Sequence, residues 1–281
     1  MAIDPCLNIS SVSLAVGDLE RSADFYERTL GLPLLERDER TASLGWSAEA
    51  PVLLLEEIED PVPLPVRATG LFHVAWLHDT RAALADTVRR IARGRWPLEG
   101  ASDHGVSEAL YLSDPDGLGI EIYADRPREQ WEPGPDGKGV RMVTLPLDLD
   151  SLLAESGGEP AASAPPDTRV GHVHLKVADV PRASAFYRDR LGLDERAQMP
   201  SAAFLAAGGY HHHVGLNSWQ SPGSPRAPAA APALRRIDFA LSSAEQLERL
   251  RSALAGDGAD GQEGELLVED PDGQLLAFAA G

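Results

Sequence analysis

Residues 9–32 read ISSVSLAVGDLERSADFYERTLGL, and residues 170–193 read VGHVHLKVADVPRASAFYRDRLGL. They align without a gap and share V-x-L-x-V, an Asp, an Arg, Phe-Tyr and Leu-Gly-Leu. Each opens with alternating apolar residues, the period of a strand with one buried face. Each continues with apolar residues at near-helical spacing, Leu19, Ala23, Phe25, Tyr26 and Leu30 in the first copy. Gly31 and Gly192 then stop the helices, because glycine takes the left-handed cap without steric cost.

Working outward, a second repeat appears. Residues 70–77, GLFHVAWL, read as a strand and 81–91 as a helix. Residues 109–123, ALYLSDPDGLGIEIY, read as two strands around a DPDG turn. The order returns with a strand over 236–241, a helix over 244–254 and LLVEDPDGQLLAF at 266–278. Four modules of strand, helix and further strands therefore start near Ile9, Gly70, Val170 and Leu234. One module cannot bury both faces of its sheet, so the modules should pair into barrel-like units. The expected class is α+β: four βαβββ modules in two barrel-like units. The expected organisation is an N-terminal domain over 1–128, a Pro/Gly-rich linker over 129–168 with a short helix within 145–154, and a C-terminal domain over 169–281.

The chain has 281 residues, is 43% hydrophobic, and can bury a sizeable core. Its net charge is −19, from 25 basic and 44 acidic residues, which argues against nucleic acid or an anionic membrane as partner. One cysteine, Cys6, allows no internal disulfide. With neither a membrane-length apolar run nor a leader pattern at residues 1–11, a cytoplasmic protein is expected.

The stretch 104–121, HGVSEALYLSDPDGLGIE, resembles the signature of extradiol dioxygenases: His104, then Tyr111, then Asp-Pro-x-Gly, then Glu121. Ser102, two places before the His, is a small departure. With the module repeat, the chain resembles the vicinal oxygen chelate superfamily of glyoxalases, bleomycin-resistance proteins and dioxygenases, most of all its two-domain catechol 2,3-dioxygenase type. That resemblance implies paired modules cupping a divalent metal, with two His and one carboxylate as ligands. Glu121 is the implied carboxylate and His73 the His on the first strand of the same module. The equivalent first-strand positions elsewhere are Ser11, His172 and Asp238, and the equivalent of Glu121 in the fourth module is Ala277. Only modules two and three together supply a full set: His73, Glu121 and His172. Modules one and four would then form a metal-free unit, although pairing within each half, with the set completed across a dimer, stays open.

The resemblance implies iron(II), with manganese(II) as the alternative that the same ligand types admit. It further implies a catechol-type substrate and dioxygen, His212 as an acid–base group, and Tyr111 and His104 holding substrate. It is compatible with a homodimer. His174 lies two residues from His172 on the same strand face and competes with it. His211, His212 and His213 should alternate sides of a strand, and register favours His212. His78 reads as an exposed strand end, and the DPDG segments as turns. Two other readings stand beside the dioxygenase: a metal-dependent glyoxalase-like isomerase or lyase, and a metal-free small-molecule binding protein.

Overall fold

In a computed structural model, residues 2–135, 137–255 and 264–281 are described. The first module runs β1 (Asn8–Val16), α1 (Leu19–Phe25), β2 (Leu34–Arg37), β3 (Thr41–Leu44) and β4 (Leu53–Glu57). The second runs β5 (Gly70–His78), α2 (Arg81–Gly94), β6 (Gly100–Asp103), β7 (Ser107–Ser113) and β8 (Gly119–Asp125). The connecting segment holds β9 (Leu145–Pro146) and α3 (Leu149–Ala154), so the short expected helix starts later than 145. The third module runs β10 (Arg169–Lys176), α4 (Val180–Ala185), β11 (Asp194–Met199), β12 (Ala202–Ala206) and β13 (Val214–Asn217). The fourth has β14 (Ala233–Leu241), α5 (Ala244–Ala253), β15 (Glu265–Glu269) and β16 (Leu275–Ala280), one strand fewer than expected among the described residues.

Local chemistry explains the helices. Asp18, Thr80, Asp179 and Ser243 each accept a hydrogen bond from the backbone N–H three residues on, removing one orphan donor per helix start. The helices α1 and α4 each widen into a π-type turn, at Tyr26–Leu30 and Phe186–Arg190. Gly31 ends the first at φ 79°.

Two sheets form, and each takes one module from each half of the chain. The seven-stranded sheet runs β15-β16-β14-β1-β4-β3-β2, and the nine-stranded sheet β11-β12-β13-β10-β5-β8-β7-β6-β9. Module one thus pairs with module four, β1 antiparallel to β14, and module two with module three, β5 antiparallel to β10. Modules of the same half meet differently. Tyr26 of module one donates to Asp114 in the DPDG turn of module two at 3.1 Å, and Tyr187 of module three donates to Asp270 in module four at 2.9 Å. The Phe-Tyr motif and the DPDG turn are two ends of one repeated contact, so these turns also join modules.

The faces of the nine-stranded sheet divide the labour. Val74, Trp76, Leu110, Ile120 and Ile122 join the main core. On the opposite face Ala75, Leu77, Ala109 and Tyr123 form a small separate cluster with Tyr111 against it.

His78 is buried at the end of β5 instead of exposed. Its Nδ1 lies 2.9 Å from the Thr168 hydroxyl and its Nε2 2.9 Å from the Thr87 hydroxyl on α2. The strand end is covered by α2 and by the segment entering β10. Burial, and then the Arg90 charge, push its pKa down to about 4, below the ~6.5 of an unfolded chain. The folded state therefore binds fewer protons there. This contribution to stability is fully present above about pH 6.5 and should fall by roughly 3 kcal/mol as pH drops towards 4. Urea unfolding of His78→Gln, compared with the parent across that window, should show a shallower loss.

Candidate metal centre

Three adjacent strands, β10, β5 and β8, carry the site. Ala75 on the middle strand is in register with both His172 on β10 and Glu121 on β8. Its methyl leaves room for the two larger side chains to lean inward, and His73, two residues before Ala75, shares their face. His73 Nε2 lies 2.9 Å from Glu121 Oε2, and His172 Nε2 lies 3.2 Å from the same oxygen. One ligand-type atom from each of the three falls within 4.8 Å of the others, and all three side chains are buried. β10 reaches this place through an irregularity between Val170 and His172. Gly171 sits in it because a Cβ there would lie 1.9 Å from the Tyr123 hydroxyl.

Electrostatics suit a cation. Burial alone would raise the Glu121 pKa, but the facing His172 and His73 imidazoles hold it well below the ordinary carboxylate value. Burial pushes His172 down to about 4, against the opposing pull of Glu121. An ionised carboxylate facing the neutral His172 imidazole is the protonation state that a divalent metal requires of these two groups. His73 Nε2, sealed from solvent, makes no hydrogen bond despite its closeness to Glu121. A buried nitrogen left in that state is costly, and a metal would use its lone pair. The donor set and the orphaned nitrogen therefore fit a divalent ion.

Around this core, Tyr111 on β7 is in register with Glu121. His104 ties it down: Nδ1 donates to the Val143 carbonyl at 2.7 Å, which leaves Nε2 to accept from the Tyr111 hydroxyl at 2.6 Å. Burial, then the Glu121 charge, push the Tyr111 pKa up, so the phenol stays protonated. His104 thus acts through Tyr111.

The histidine run 211–213 precedes β13 and is not part of a strand. Strict alternation does not apply there, and the three rings have separate surroundings. His212 lies against His172, ring centroids 4.0 Å apart. His211 is fully buried with Nε2 2.9 Å from Asp125. His213 Nδ1 accepts from the Ala207 backbone N–H at 3.2 Å, a clasp across the turn. His174 stands apart from Glu121, its ring 5.0 Å from His73 and its Nε2 buried without a partner.

Sequence reasoning missed an aromatic wall. Phe72 lies 5.1 Å from His174 and 5.2 Å from Trp219, and Phe204 lies 5.0 Å from His212. No spacing rule links these positions. It also missed Asp125, whose place at the end of β8 is ordinary in sequence.

The other sheet shows what the site lacks there. Ser11, Asp238 and Ala277 fall in register, so one carboxylate stands alone, and Arg236 occupies it at 2.6 Å. A concavity of about 720 Å³ on that sheet is lined by Ser13, Glu36, Arg37, Asp38 and Arg235 among others, with no histidine. The cluster of ligand-type side chains lies on the nine-stranded sheet and not beside this concavity.

Comparison with known proteins gives the family. Residues 8–122 and 169–278 match the Glyoxalase/Bleomycin resistance protein/Dioxygenase superfamily. The chain is 42% identical over 278 residues to the catechol-2,3-dioxygenase of Bacillus subtilis, covering 96% of each. It is 29% identical over 124 residues to the lactoylglutathione lyase of Escherichia coli O157:H7, covering 40% of this chain and 89% of that one. Among solved structures, glyoxalase I of Zea mays shares the fold with a TM-score of 0.58 at 18% identity, covering 98% of this chain and 92% of that one.

Proposed function

Because the chain belongs to the glyoxalase/bleomycin resistance/dioxygenase superfamily, we propose that it is an extradiol ring-cleaving dioxygenase that acts on catechol-type substrates with iron(II) and dioxygen. The observation that carries this reading is the buried His73–Glu121–His172 cluster with Tyr111 and His212 beside it. His73, His172 and Glu121 would hold the metal, which supplies Lewis acidity and a redox path between substrate and dioxygen when bound.

The chain's own groups account for the rest. The Tyr111 hydroxyl, protonated and anchored by His104, is placed to hydrogen-bond a substrate oxygen. His212, buried against His172, is placed to hold or move a proton at the reacting ring. Phe72, His174 and Trp219 offer flat surfaces beside a planar substrate and help keep water out. Cleavage next to the diol places both atoms of dioxygen in a muconic semialdehyde. A glyoxalase-like isomerase would need the ligands alone, whereas the Tyr111–His104 pair and His212 suit proton handling around an oxygenated ring.

The test is anaerobic reconstitution with iron(II), followed by oxygen uptake and absorbance with catechol. A yellow ring-fission product with matching oxygen consumption is expected. No uptake across a panel of catechols, with one metal bound tightly per chain, would overturn the reading. In the same assay Tyr111→Phe should bind metal normally and lose about 10–100-fold in kcat/KM, the cost of leaving a buried substrate hydroxyl without the acceptor that Tyr111 provides.

A further inference from the structure

Behind His212 lies a directed chain of hydrogen bonds. Tyr210 donates to Asp125 Oδ2 at 2.9 Å, and Tyr123 lies 2.7 Å from the Tyr210 hydroxyl. Asp125 Oδ1 faces His211 Nε2 at 2.9 Å, and His211 Nδ1 faces His212 Nδ1 at 2.7 Å. An ionised carboxylate only accepts, so Asp125 draws the His211 proton onto Nε2. A neutral His211 then presents a lone pair at Nδ1, and the short contact to His212 requires a proton on His212 Nδ1. Since a neutral imidazole carries one N–H, His212 Nε2 is left bare. The His172 ring and Phe204 hold the imidazole in place.

We infer that Asp125 and His211 are positioning residues that lock His212 in the tautomer with Nδ1 protonated and Nε2 free, so that His212 offers the site an acceptor for a ligand hydroxyl. The inference rests on the reading of His212 as the proton-handling group. It also explains a run of three histidines: one serves the site, one sets its tautomer, and one clasps the turn. Asp125 stands on the wall of a surface cleft shared with Arg126, Trp131, Arg169 and Tyr210, outside the ligand cluster.

The test is histidine-¹⁵N NMR of the full, metal-free chain, with His212 signals assigned by their loss in His212→Gln. The expected result is one His212 tautomer, protonated at Nδ1. In His211→Phe the acceptor is gone and the proton should move to Nε2. In Asp125→Ala, whose side chain is only a quarter exposed but lies at the cleft, a second tautomer should appear. Should His211→Phe fail to fold, Asp125→Ala decides alone. A parent His212 protonated at Nε2, a doubly protonated His211, or an unchanged pattern in the folded variants would overturn the inference. None of these readouts needs metal or turnover. Absent ring cleavage with the expected tautomer would count against the proposed reaction and not against this arrangement.

Discussion

Glu121→Ala is expected to abolish both ring cleavage and tight metal binding. Glu121 is the carboxylate of the buried cluster, and both imidazoles approach its Oε2. Removing it leaves two neutral nitrogen donors and no anion to offset a dication in a low-dielectric interior. Loss of an outer-shell partner alone costs ~10–100-fold in metal affinity, and loss of a ligand should exceed that. The measurement is metal-linked stability. Iron(II) at 100 times its dissociation constant should raise the unfolding free energy of the parent by about 2.7 kcal/mol, while the variant should show no shift and no oxygen uptake with catechol. A variant that keeps the metal shift would remove Glu121 from the ligand set. The metal-free variant should stay folded, because deleting the carboxylate also removes the cost of burying its charge.

The second large effect is expected at His212. His212→Phe preserves a flat ring against His172 and Phe204 and removes both nitrogens. Metal stoichiometry should remain at the parent level, and kcat should fall by ~10²–10⁴, the usual worth of a positioned acid–base group. Metal titration together with single-turnover ring cleavage separates the two properties. Loss of metal in this variant would place His212 among the ligands and overturn the division of roles proposed for His172 and His212.

Much of this site was legible because its parts lie close in sequence. Tyr111 and Glu121 share the β7–β8 hairpin, where they stand opposite each other, and His104 lies in the turn just before β7. His73 precedes them in the same module, and counting ligand types over four repeats singles out His172 as the remaining partner. The structure brings module two against module three, as that count requires. Where reading failed, a local rule was applied outside its domain. Alternation was assumed over 211–213, but β13 begins only at Val214. His78 was taken for a free strand end because no local pattern shows what packs over it, yet Thr87 on the following helix and Thr168, 90 residues away, both do.

The amino-acid sequence by itself determined the periodicities, caps and turns that make four repeated modules, and the residue types able to hold a divalent metal. These are local quantities, set by spacing and by side-chain chemistry within about thirty residues. Only the tertiary structure decided which lone pairs are free, which histidine meets which carboxylate, and which aromatic rings wall the site. Asp125 and His211 are 86 residues apart and Phe72 and Trp219 come from different modules. Such pairings follow no period: they are set by where the nine-stranded sheet brings distant strand ends together, and by the free-energy cost of leaving a buried polar atom without a partner.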